Sequence, residues 1–300
     1  MIHTNQPPLT FFQRWWIAIR PKTLPAALAP VILGWSIALR IGKFRILAAI
    51  SALLIALLIQ IGTNLVNDVI DFSRGADTNE RTGPTRVTQT GLLSAKQVWA
   101  GVIVTFGVSA LLGIYLINLA GWPALIMGGA SLIAGLAYTA GPFPLAYNGL
   151  GGLFVLIFFG YVAVGGTVLV TAGMLTPITW FAATAAGVLT VNILVVNNIR
   201  DIQTDKAAGR TNLPVVLGRR TAEWQYAIML IIAYAIPFLM ICNQQTSYWV
   251  LLPLLTLPQA IKIWSILRSG LSGQALNPQL GNTAQLLLRY CLLLSLGLLF

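Results

Sequence analysis

Nine apolar runs, at approximately 24–40, 46–67, 98–118, 122–140, 149–171, 177–199, 224–242, 247–267 and 283–300, take up most of the 300-residue sequence. Each approaches the roughly 20 residues that an α-helix needs to cross the hydrocarbon core of a bilayer. A chain built this way has few folds open to it. In lipid every backbone amide and carbonyl must find a partner, and apolar runs of this length do so within one helix. Only 8% of the residues are charged and 57% are apolar, against the roughly 25% charged residues of a soluble domain. The expected fold class is therefore all-α integral membrane, with nine transmembrane helices in one polytopic domain over 1–300. Small residues such as Gly128, Gly129, Ala130 and Ser131, or Ala182, Ala183, Ala185 and Ala186, allow neighbouring helices to approach closely.

Several functional classes drop out at this stage. The single histidine is His3, which leaves no His-based metal site or His general base. Cys242 and Cys291 lie in apolar runs without metal-ligand or redox spacing and read as core thiols. Residues 1–23 lack the short apolar core and small-residue cleavage site of a secretory signal.

The basic residues set an orientation. Arg14, Arg20 and Lys22 precede the first span, Arg74, Arg81, Arg86 and Lys96 follow the second, and Arg200, Lys206, Arg210, Arg219 and Arg220 follow the sixth. Lys262, Arg268 and Arg289 flank the connection between the eighth and ninth. With alternating topology these share one face, and only Arg40, Lys43 and Arg45 occupy the other. The positive-inside rule then places the N-terminus in the cytoplasm and the C-terminus outside. Trp15 and Trp16 beside Arg14 and Arg20 suit an amphipathic helix at about 8–20 lying at the interface. No nucleic-acid partner is expected, and the oligomeric state is left open.

The acids are confined more tightly than the bases. Of seven, Asp68, Asp71, Asp77 and Glu80 fall within 68–80, and Asp201, Asp205 and Glu223 within 201–223. They occupy the ends of the second and sixth spans and the loops that follow, about 68–97 and 200–223. At 100° per residue, Asn64, Asn67, Asp68 and Asp71 fall on one helical face, and Asn197, Asn198, Asp201 and Asp205 repeat the pattern. A helix C-terminus carries partial negative charge, so carboxylates gathered there are unfavourable without a cation. Carboxylate and amide oxygens suit hard divalent ions, and Mg²⁺ typically joins one or two carboxylates to a substrate phosphate. The candidate metal ligands are Asn64, Asn67, Asp68, Asp71, Asn197, Asp201 and Asp205. Lys22, Arg81, Arg86, Lys206 and Arg210 are the candidates for a diphosphate, because Arg and Lys complement phosphate oxygens. Solvated surface or simple Asp–Arg bridging is the plainer reading of the same residues. An ion-coupled transporter is a further alternative, disfavoured because its ionisable groups belong nearer the bilayer midplane.

At these motifs the sequence resembles the UbiA superfamily of intramembrane aromatic prenyltransferases, and within it the 1,4-dihydroxy-2-naphthoate branch of menaquinone synthesis. The resemblance rests on TNLVNDVIDFSRGADTNERTGPTRVTQTGLLS at 63–94, LAYTAGPFPLAYNGLGGLFVLIFFG at 136–160 and VVNNIRDIQTDKAAGRTNLPVVLG at 195–218. RPKTLPAALAPVILG at 20–34 and LNPQLGNTAQLLLRY at 276–290 extend it over essentially the whole chain. It implies nine helices around a central cavity in a bacterial inner membrane. It also implies Mg²⁺-dependent transfer of a polyprenyl group from polyprenyl diphosphate to 1,4-dihydroxy-2-naphthoate, with decarboxylation, giving demethylmenaquinone. Asn67, Asp68 and Asp71 match the first Asp-rich motif and Asp201 and Asp205 the second, with Asn64 and Asn197 one turn earlier as supporting ligands and Asp71, Asp201 and Asp205 as the catalytic set.

Two Mg²⁺ are implied, bound with the diphosphate, in a lipid-embedded site. Tyr138, Phe143 and Tyr147 are candidates for orienting the acceptor or facing a carbocation. The chain departs from the pattern at Gly75, Gly152 and Tyr161; at Gly152 an acidic residue is expected. Another aromatic acceptor, such as 4-hydroxybenzoate, is the alternative within the family.

Overall fold

The computed structural model describes residues 9–74, 83–141, 144–145, 148–243 and 246–300. Described residues form helices and connections, with no strand among them. Helix α1 (Phe11–Ile19) opens on a capping box in which Thr10 and Gln13 satisfy each other's backbone amides. Arg20 then takes a left-handed conformation (φ 57°), and the chain bends by 57° into α2 (Pro25–Arg40). There follow α3 (Ile46–Ser73), α4 (Ala95–Ala120), α5 (Trp122–Ala137), α6 (Gly151–Ala172) and α7 (Pro177–Arg200). Two short helices, α8 (Ile202–Ala207) and α9 (Leu213–Leu217), precede α10 (Arg219–Cys242), α11 (Tyr248–Arg268) and α12 (Gly273–Leu299).

The nine expected spans correspond in order to α2–α7 and α10–α12. Among the described residues seven helices are long and apolar enough to cross a bilayer, the bent α1–α2 pair makes an eighth if it is one span, and the 16-residue α5 is shorter. The protein is a multi-pass membrane protein. Two boundaries differ most: α12 begins at Gly273, ten residues before the expected 283, and α3 continues to Ser73, six residues past the expected end at 67. Its last turns are polar because they face a cavity instead of lipid. The helix expected over 8–20 is α1, whose Trp15 stacks over Gly101 of α4.

Helix α7 is the axis of the bundle, buried along most of its length between α2, α6, α10 and α12. Its contact with α6 is a close one. A Cβ on Gly160 would stand 2.6 Å from the Ala183 carbonyl oxygen, so only glycine lets the two backbones meet. Over Leu156–Gly165 α6 is wound as a π-helix, a wide form that commonly marks functional segments. A second packed group, including Ala18, Leu65, Val66, Val69, Val87 and Val98, joins α1, α3, α4 and the segment before α4. Between the two groups lies a cavity of about 1430 Å³.

The cavity runs from the C-terminal ends of α3 and α7 toward the opposite face, where Ala52, Leu116, Ala124 and Val170 line its far end. Ala52 lies roughly 28 Å along α3 from Asp71 at 1.5 Å per residue, close to the thickness of the hydrocarbon core.

Candidate active site

The two acidic helix ends, some 130 residues apart in sequence, meet at the mouth of this cavity. Arg210 makes the junction. Its guanidinium lies 3.0 Å from Asp205 and 3.6 Å from Asp71. Arg86 approaches Asp71 from the other side at 2.5 Å. Asp201 is held by Arg200 through both oxygens, at 2.7 and 2.5 Å, and Asp205 also accepts from the Asn212 amide at 2.6 Å. Burial raises the Asp205 carboxyl above its ordinary value, opposed by Arg210 and reinforced by Asp201. A carboxylate held in this way is favourable only with positive charge beside it.

Asp71, Asp201 and Asp205 line the cavity with Asn64, Asn67, Asn197, Asn198, Lys22, Arg86, Arg210 and Tyr138. Two expected members do not. Asp68 is turned away from the cavity: its two oxygens accept the Val87 and Thr88 backbone amides, both at 3.0 Å, and Arg20 lies 3.6 Å away. The arc that carries Asn67 and Asp71 into the cavity leaves Asp68 on its edge, where it anchors the segment that brings in Arg86. Lys206 is exposed on the outer side of α8 and does not line the cavity. Its neighbour Asp205 takes the inward position because α8 turns after Asp201.

The amides have structural partners as well. Asn64 donates to the Ile19 carbonyl at 3.0 Å and to the Thr23 hydroxyl at 2.9 Å, tying α3 to the α1–α2 bend. Asn67 accepts from the Thr139 hydroxyl, and Asn197 accepts from Arg200 at 2.7 Å. Arg81, Phe143 and Tyr147 lie outside the described residues. Aromatic lining that the motifs do not announce comes from α6. Phe154 and Phe158 stack with centroids 5.9 Å apart, and Phe159 joins them in the wall. Their four-residue spacing was the available signal.

Among the described residues no three acidic, histidine or cysteine side chains gather closely enough to cage a metal by themselves. The donors nevertheless fit magnesium. They are hard oxygens, few in number, spread across the mouth of a cleft wide enough for a phosphate to complete the coordination.

The family model for the UbiA prenyltransferase family matches residues 27–275. The chain belongs to that family. It is 36% identical over 292 residues to the 1,4-dihydroxy-2-naphthoate octaprenyltransferase of Escherichia coli K12, covering 95% of each chain. It is 35% identical over 290 residues to the enzyme of the same name from Mycobacterium tuberculosis, covering 96% and 98%. Among solved structures, an apo UbiA homologue from Aeropyrum pernix K1 superposes with a TM-score of 0.71 at 18% identity, over 93% of this chain and 97% of that one. A UbiA homologue from Archaeoglobus fulgidus bound to GPP and Mg²⁺ gives 0.64 at 18% identity, over 94% and 99%. The family fold thus extends over nearly the whole chain.

Proposed function

We propose that this protein transfers a polyprenyl group from polyprenyl diphosphate to 1,4-dihydroxy-2-naphthoate, with loss of CO₂ and diphosphate, to give the prenylated quinol, demethylmenaquinol, the reduced form of demethylmenaquinone. The observation that carries the reading is the meeting of two acidic helix ends at the mouth of a deep apolar cavity, in a chain of this family with relatives of that name. The charged end suits the diphosphate and the long apolar end suits its tail.

Asp71, Asp201 and Asp205 would hold two Mg²⁺ shared with the diphosphate, with Asn67 and Asn197 beside them. Magnesium bound there supplies positive charge to the departing diphosphate. Arg86 and Arg210, freed from their carboxylate partners as the metal binds, turn to the phosphate oxygens. Lys22 stands at the cavity rim for the same task. Asp68 acts through the backbone it holds and Asn64 through the α1–α2 bend, so both position the site. The stacked Phe154 and Phe158 offer π-faces to positive charge on the allylic carbon, and the apolar wall keeps water from capturing it. The tail follows the cavity toward Ala52 and Val170, and Ile114, Leu125 and Leu153 both line it and reach the outer surface.

The distribution of Lys and Arg supports a charged mouth on the cytoplasmic side, with the N-terminus inside and the C-terminus outside, in what the bacterial relatives suggest is an inner membrane. Protein in lipid nanodiscs, given the naphthoate, a polyprenyl diphosphate and Mg²⁺, forms the prenylated quinol. Asp71→Ala and Asp201→Ala abolish turnover. Undiminished turnover in both would remove the metal-site assignment, and preferential use of 4-hydroxybenzoate would change the acceptor.

A further inference from the structure

Below the charged layer few polar groups line the cavity, among them Thr63 and Gln60, whose amide lies 3.5 Å from Thr23 and Asn64. The hydroxyls of Ser109, Ser131, Thr167 and Thr190 line it, but each is tied back to a carbonyl of its own helix at 2.6–2.9 Å. Gln225 differs. It is the seventh residue of α10, about 9 Å into the helix at 1.5 Å per residue, and it lines the cavity. Its amide has no hydrogen-bond partner among the described residues. A half-buried amide on an apolar wall offers a donor and an acceptor to whatever enters the cavity.

Gly152 leaves the wall beside that amide without a side chain, and Gly151 before it packs closely against Leu194 and Tyr138. A Cβ on Gly152 would lie 4.0 Å from Gln225 Nε2 and 3.9 Å from Val191. A Cβ on Gly151 would lie 3.3 Å from Leu194 and 3.4 Å from the Tyr138 hydroxyl. Any side chain at 152 would therefore project toward the amide. With glycine there, the first turn of α6 leaves a slot in the cavity wall beside Val191 and Gln225.

We propose that this slot receives the ring of the aromatic acceptor, and that Gln225 binds the ring hydroxyl farthest from the carboxylate. The inference rests on the acceptor class proposed above. Charge partition gives the orientation. The acceptor's carboxylate belongs in the cationic layer at the mouth, because an anion placed beside a neutral amide in an apolar wall is strongly disfavoured. The hydroxyl next to the carboxylate is occupied by an internal hydrogen bond. The distal hydroxyl has no such partner, and a neutral amide can accept its proton or donate to its oxygen.

The test is a chemical double-mutant cycle on the nanodisc-embedded protein. The probes are 1,4-dihydroxy-2-naphthoate and 1-hydroxy-2-naphthoate, which lacks only the distal hydroxyl, with binding followed anaerobically by naphthoate fluorescence. The wild-type protein should bind the dihydroxy compound about three- to tenfold more tightly, the range of one neutral hydrogen bond. Gln225→Met, of similar length and apolar, should bind both equally. Gly152→Val, which sets a branched group against the amide, should erase the same preference by an independent route. Binding of polyprenyl diphosphate at the mouth reports that each variant is folded. If Gln225→Met keeps the wild-type preference, or the wild type has none, the assignment of Gln225 is overturned. If the wild type binds neither naphthoate but still binds the diphosphate, the acceptor reading itself fails and this inference with it.

Discussion

Arg210 occupies the place between Asp71 and Asp205 where a metal-bound diphosphate would need positive charge, so its removal should act in opposite directions on the two ligands. The aspartate side chains are each 5% exposed and that of Arg210 is 22% exposed, with separations of 3.6 and 3.0 Å. Coulomb's law at an effective dielectric of about 20 gives a gross attraction of about 5 kcal/mol per contact. Desolvation of the buried ions offsets much of it, and coupling within such networks is typically about 1–3 kcal/mol. In Arg210→Ala the two carboxylates face each other without that cation. Divalent-ion affinity, measured without diphosphate, should then tighten by about tenfold, one decade per 1.4 kcal/mol. Diphosphate affinity should fall, because a donor to its oxygens is gone. Mn²⁺ paramagnetic resonance reads the first quantity and titration calorimetry the second. Adding Asp205→Asn should cancel most of the gain in ion affinity. Unchanged or weakened ion binding in Arg210→Ala, or additivity of the two substitutions within about 0.5 kcal/mol, would refute the reasoning.

Asp68→Asn replaces one acceptor by an amide donor facing a backbone N–H, a loss of about 1–3 kcal/mol in the anchoring of Val87 and Thr88. Initial rates should show a several-fold higher KM for diphosphate with an unchanged Mg²⁺ requirement, and a changed metal requirement would make Asp68 a ligand after all. The raised Asp205 carboxyl takes up its proton at a higher pH than a free aspartate, so on the acid side metal affinity should be lost before ordinary carboxylates titrate. Asp205→Glu, with a different burial, should shift that acid limb in a pH–rate profile, and an identical limb would assign it elsewhere. Gly160→Ala pushes a methyl group to within 2.6 Å of the Ala183 carbonyl, an overpacking cost of about 1–3 kcal/mol. A wild-type melting temperature for that variant would contradict the close α6–α7 contact.

The spans were legible because lipid imposes one period and one length on every crossing segment. What the sequence did not reveal has local causes. Helix α3 outlasted its apolar run because a cavity-facing turn looks like a loop to hydropathy alone. The convergence of the two acidic ends was foreseen from helical spacing and orientation, but the bridging by Arg210 depends on α8 and the turn at Gly209, which no periodicity predicts. Asp68 sits one residue from Asn67 and shares its chemistry, so composition could not tell that the one faces the cavity and the other faces Val87 and Thr88. Gln225 carried no signal beyond being an amide near the start of an apolar helix; its meaning lies in the glycine opposite it.

The ion pairs also bear on how such a chain enters the membrane. Asp68 faces Arg20, Asp71 faces Arg86, Asp201 faces Arg200 and Asp205 faces Arg210, so every one of these acids has a cation from its own half of the sequence. Chains emerge from the N-terminus onward, and the first half must settle before the second exists. Local neutralisation lets each half reach the bilayer without a bare carboxylate at its edge. The contact from Arg210 to Asp71 joins the halves, so that ion pair can close only after the second half has emerged.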